Sequence, residues 1–211
     1  LGYDFAAWAD MLRNFPEVWQ AERLYFVNDS ITGPFRPLDE MISNIRHANA
    51  GFFALSECTA GGYHAQSFFF GWNRENLCTE PLREFWQNVA VETDKLQVIL
   101  KYEHCIAALS PYLPDPTRQI VFGMLNSIGA DADQVTGINP THHAWQHLLH
   151  LGFPFIKTDL LRDGVPGLDT ATWEETCAFH GADVTKIYRH LEQSRINRLR
   201  SENLWGHLTR A

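Results

Sequence analysis

Residues 23–35 read RLYFVNDSITGPF, and the change from apolar to polar side chains within them sets the reading of the rest of the chain. Leu24-Tyr25-Phe26-Val27 is a short run of large apolar residues, and turn formers follow it directly. Such a run, bounded by turn chemistry, predicts a buried strand over 23–28 that opens into a loop. In open α/β sheets ligands bind beyond the carboxyl ends of strands, which puts Asn28, Asp29 and Ser30 at the mouth of a crevice. A carboxylate flanked by two short polar side chains suits Mg2+ or Mn2+ on a diphosphate, since both ions prefer oxygen ligands and keep phosphate and water in their shells. The competing reading is that Asp29 only caps the turn into Gly33-Pro34.

On the N-terminal side of this stretch, Phe5, Trp8 and Leu12 recur at helical spacing over 4–14, and Asp4 is suited to cap that helix. On the C-terminal side, 37–48 predicts a second helix, 51–56 a strand, 58–63 a Gly-Gly turn and 65–72 a third strand. A helix over 80–88 carries Pro81 in its first turn. Residues 93–109 predict an amphipathic helix with Leu96, Ile99, Leu100, Ile106 and Leu109 on one face, broken by PYLPDP at 111–116. Beyond it, 119–126 fits helix or strand, 140–151 a helix, 155–159 a strand or extended turn, and 170–199 one or two helices. Strands alternating with helices predict an α/β fold with a largely parallel sheet. The expected division is a core over 1–168 and a helical segment over 169–211 packed on it.

With 45% hydrophobic and 20% charged residues, the 211-residue chain can bury a globular core. A formal charge of −8 argues against a nucleic-acid partner, because no basic stripe is there to neutralise phosphates. Cys58, Cys78, Cys105 and Cys177 are widely spaced without a CxxC pair, which fits reduced thiols in a cytoplasmic protein. No apolar run approaches the roughly 20 residues of a membrane span.

Other polar residues offer chemistry. In Tyr102-Glu103-His104, Glu103 is a candidate general base if it faces a pocket, against the ordinary reading of a solvated helix glutamate. In the cluster 63–67, His64, Gln66 and Phe68 alternate onto one strand face and Ser67 onto the other. In Asn139-Pro140-Thr141-His142-His143, adjacent histidines cannot share a helix face, so only one, such as His142, can meet phosphate or metal. His143 and His147 are four apart, but no HExxH glutamate accompanies them, which disfavours a zinc hydrolase. Lys157 and Arg162 can meet phosphate or simply lie at the surface.

Taken together, GYDFAAW (2–8), LYFVNDSITGPF (24–35), FFALSE (52–57), YHAQSFFFGWNRENL (63–77), LREFWQNV (82–89), KYEHCIAAL (101–109) and NPTHHAWQHLLHLGFPFIKTDLLRD (139–163) resemble the rhamnan synthesis protein F family. The resemblance implies a GT-A-like, Rossmann-like glycosyltransferase whose first βαβ unit lies upstream of residue 1. In that pattern Asn28-Asp29-Ser30 occupies the place of a metal-binding DxD motif, with Asp29 its one carboxylate and metal ligand. Glu103 takes the place of the catalytic base for an inverting transfer, with His104 where relatives carry Asp. Gly2 and Asp4 match a segment near the donor, and Glu57 lies in the matching FFALSE stretch as a further donor or substrate residue.

The expected activity is transfer of a sugar from a nucleotide-sugar donor, by resemblance dTDP-rhamnose, to a glycan or lipid-linked glycan of the cell surface. Catalysis falls to Glu103 and Asp29, with Mg2+ or Mn2+ on the diphosphate, and His64, Gln66, Ser67 and Trp72 are candidate sugar contacts. The expected location is the cytoplasm, with peripheral association at the inner face of the cell membrane. The alternative is a non-catalytic glycan-binding or assembly domain that keeps the fold.

Overall fold

The computed structural model describes residues 3–124 and 137–195. The strands in chain order are β1 (Arg23–Val27), β2 (Ile31–Thr32), β3 (Phe52–Ala54), β4 (Glu57–Cys58), β5 (His64–Ala65), β6 (Phe69–Asn73), β7 (Arg118–Ile120) and β8 (Ile156–Lys157). By contacts the chain forms two compact units: one runs up to Asp29 and resumes over Leu38–Ala144, the other holds Ser30–Pro37 and the chain from Trp145 onward. Residues 145–168 thus group with the C-terminal helices, whereas the sequence places a division after 168.

The first unit is built on a four-stranded sheet in the order β1-β6-β3-β7. The expectation of a largely parallel sheet is corrected here. Strand β6 runs antiparallel to both β1 and β3, and only β3 with β7 is parallel. The reason is local: after the turn at Gly61-Gly62 the chain returns directly as β6 and inserts between β1 and β3, with no helical crossover. The stretch 65–72 is also not one strand, because Gln66, Ser67 and Phe68 separate β5 from β6.

Every residue of β6 is buried. Its side chains meet an aromatic cluster: the Phe26 ring stacks on Phe70 at 5.0 Å and on Trp86 at 4.8 Å, and Phe5 lies against Phe70 and Trp86. Burying such a side chain contributes about 1.5–3 kcal/mol, and each favourable ring pair adds about 0.5–1.5 kcal/mol. Close strand approach requires Gly71, where a Cβ would fall 2.0 Å from the Leu24 carbonyl oxygen.

Helices cover this sheet at Tyr3–Asn14, Asp39–Ala48 and Glu80–Gln87, near the expected bounds. The stretch 93–109 departs from a regular helix. Lys95–Val98 is α-helical, Ile99–Glu103 widens to a π turn, and His104–Ala108 resumes the α form. The wider turn rotates the buried face to Val98, Tyr102 and Ile106, leaving Leu96 and Leu100 exposed, contrary to the regular-helix expectation. Residues 119–126 resolve into β7 at their start, and 125–126 lie outside the described residues.

In the second unit β2 pairs antiparallel with β8, and the Thr32 and Thr158 hydroxyls meet at 3.0 Å. Trp145, Leu149, Ile156, Leu160, Cys177 and Ile187 form its core. The predicted helix over 140–151 breaks at Ala144, and 170–199 resolves into helices at Trp173–Phe179 and 184–195, with 196–199 outside the described residues.

Candidate functional site

The mouth of β1 is built by backbone pairing that runs one residue past the strand, where the Asn28 amide donates to the Phe68 carbonyl at 3.2 Å. That contact fixes Asn28 so that its side-chain amide donates to Asp4 Oδ2 at 2.9 Å. Asp4 lies inside the first turn of the helix Tyr3–Asn14 and does not cap it. Burial raises the Asp4 carboxyl above its ordinary range; the Asn28 bond opposes that shift, and the charges of Asp29 and Glu103 reinforce it. Asp4 therefore senses both carboxylates that the sequence assigned to catalysis, and all three lie in the first unit.

Glu103 closes the π turn and is fixed by residues from the chain between β4 and β6. Ser67 Oγ donates to Glu103 Oε1 at 2.7 Å, and His64 Nε2 lies 3.8 Å from Oε2. His64 Nδ1 meets the Gly62 carbonyl at 2.8 Å, a contact in which only the ring nitrogen can donate. Behind it the His104 ring stacks on His64 at 4.5 Å. Burial lowers the His104 pKa, the neighbouring His64 lowers it further, and Glu103 partly offsets both. This imidazole pair escaped sequence reasoning, because 39 intervening residues leave no spacing signal.

The remaining candidates are placed more variously. Glu57 is buried and accepts from the Tyr63 hydroxyl at 2.9 Å, and burial together with that carboxylate pushes the Tyr63 pKa up to about 12. Gln66 is buried in an amide network: its Nε2 donates to Asn139 Oδ1 at 2.7 Å and its Oε1 accepts from Thr141 at 3.1 Å. Asn139 in turn caps the helix Pro140–His143, so this network ties Gln66 to a helix start. His142 is half-buried on that short helix. Trp72 is a correction: it is fully buried among Phe26, Phe52, Phe70 and Trp86, so its ring is core and not a floor for sugar. Ser30 and Lys157 belong to the second unit, where Lys157 Nζ donates to Ser30 Oγ at 3.0 Å.

A four-stranded mixed sheet covered by helices defines an α/β protein. The chain belongs to the rhamnan synthesis protein F family, whose family model matches residues 1–171. It is also similar to the virulence protein VirA of Vibrio anguillarum, at 30% identity over 197 residues covering 79% of this chain and 61% of the relative. A second VirA sequence from the same species matches to the same extent, so the chain spans about three fifths of the length of these curated relatives. No solved structure matches. Among the described residues no helix is long and apolar enough to cross a membrane, and no three His, Cys, Asp or Glu side chains form a metal-holding group.

Proposed function

We propose that the chain is part of a glycosyltransferase of polysaccharide synthesis, acting with inversion on a nucleotide-sugar donor, with dTDP-rhamnose as the first donor to try. The family name supports the polysaccharide role. The observation that carries the catalytic reading is the electrostatic link of Asp29 and Glu103 through Asp4 at the mouth of β1. In the reaction the acceptor hydroxyl oxygen forms the new bond to the anomeric carbon while the nucleoside diphosphate leaves with the bonding pair. Glu103 takes the acceptor proton, and Ser67 holds the carboxylate in line for it.

Asp29 and Glu103 both act electrostatically on Asp4, and a diphosphate would add further negative charge beside them. Asp29, exposed at the strand end, is the residue that would hold Mg2+ or Mn2+. Mg2+ is commonly satisfied by one or two carboxylates with phosphate oxygens and water, so an all-protein cage is not required. Such an ion supplies charge neutralisation on the leaving group. The acceptor is a growing glycan or lipid-linked glycan, and the reaction takes place on the cytoplasmic side of the membrane.

The test is donor turnover by Glu103→Gln and Asp29→Asn in the full-length protein, with and without Mn2+. Loss of a general base lowers kcat by about 10²–10⁴-fold. Activity of Glu103→Gln within about threefold of the parent removes Glu103 from the chemistry. Absence of any heat of binding for nucleoside diphosphates with Mn2+ at millimolar concentration points instead to a glycan-binding module on the same fold.

A further inference from the structure

We propose that His64 and Glu103 form one proton-linked pair in which a protonated His64 ion-pairs with Glu103 Oε2 and so withdraws that carboxylate from service as a base. The geometry is specific. Ser67 already occupies Oε1, so Oε2 is the oxygen left to accept a proton from a substrate. His64 is only 5% exposed, and its Nδ1 is committed to the Gly62 carbonyl. A neutral His64 therefore turns an unprotonated Nε2 toward Oε2, and a charged His64 turns an N–H there.

The groups that face this pair come from three elements. From the helical stretch 95–108 come Glu103 itself and His104, whose ring stacks on His64 and whose own protonation is disfavoured by burial and by His64. On the hairpin of β4 and β5, Glu57 and Tyr63 are engaged with each other. From the first helix Asp4 lies within the field of Glu103. An added proton is stabilised on the ring that faces the Glu103 carboxylate, and not on both rings, since two stacked imidazolium rings would repel. Protonation of His64 then converts Glu103 from an available base into half of an ion pair.

The consequence for catalysis rests on the glycosyltransferase reading, but the pairing itself can be measured without turnover. The imidazole proton–nitrogen correlation spectrum of the full-length protein is followed over pH, in the parent and in Glu103→Gln. Loss of the carboxylate lowers the His64 midpoint read in this spectrum. An unchanged midpoint overturns the proposal. In the activity arm, His64→Gln displaces the acid limb of the kcat/KM profile to lower pH, whereas Ser67→Ala lowers kcat without moving it. An acid limb that stays in place in folded His64→Gln overturns the link to catalysis. A displaced His64 midpoint in a protein with no donor turnover upholds the pair and sinks the transferase reading.

Discussion

Asp4 and Phe5 are neighbours on the first helix, yet they serve regions of opposite character. Phe5 packs on Phe70, Trp86 and Tyr102 in the aromatic core, while Asp4 reaches Asn28 at the polar mouth of β1. The same split recurs along the π turn, where Tyr102 faces the core and Glu103 faces Ser67, and along the chain into β6, where Ser67 precedes Phe69 and Phe70 by a few residues. Each element thus delivers one residue to an apolar body and its neighbour to a polar cluster. Adjacent helix residues differ by about 100° in direction, so burial of one fixes the other without further contacts. The polar residues inherit their geometry from the core and add little to stability themselves.

Substitutions that cut only one region break this comparison if it is false. Phe70→Ala should have the largest effect, because its ring touches Phe5, Trp8, Phe26 and Trp72. Truncation of a buried Phe costs about 3–5 kcal/mol, read as a fall in the urea midpoint, with the mouth lost along with the core. Gly71→Ala follows at about 1–3 kcal/mol, because the added methyl would meet the Leu24 backbone and force β1 and β6 apart. A melting temperature equal to the parent's would mean that these strands can separate more freely than the register implies. Ser67→Ala should cost only about 1 kcal/mol, the net value of one hydrogen bond, while affecting turnover more than stability.

The same split explains what the sequence disclosed. The run Leu24–Val27 announced β1 and its polar mouth, because apolar burial followed by turn residues is a local signal. Helices with regular spacing, such as Tyr3–Asn14 and Glu80–Gln87, were legible for the same reason. The direction of β6 was not, since pairing between distant strands leaves no trace in periodicity. Nor was the π turn at Ile99–Glu103: one extra residue per turn moves Leu96 and Leu100 to the surface while the hydrophobic pattern still suits an ordinary helix. Asp29 and Glu103 stood out as candidates by type and position alone. The partners of Glu103 did not, because His64, Ser67 and His104 converge only through the tertiary fold.

The smallest expected effect is the most direct test of whether the mouth is held against its own charge. Asp4 is half-buried, and its folded pKa is raised, first by burial and then by Asp29 and Glu103. A carboxyl whose folded pKa exceeds its unfolded value contributes stability that is fully present below the unfolded pKa. That contribution is lost as pH rises through the folded value. At neutral pH the ionised Asp4 is therefore a liability to folding. Asp4→Asn keeps an oxygen to accept from Asn28 and removes the charge, so it should leave the urea midpoint at pH 7 equal to or slightly above that of the parent. Its advantage over the parent should shrink as the pH is lowered toward the unfolded carboxyl range. A variant less stable than the parent at pH 7 would mean that the negative charge is compensated within the protein. The mouth of β1 would then lack the electrostatic demand for a cation that the proposed diphosphate chemistry relies on.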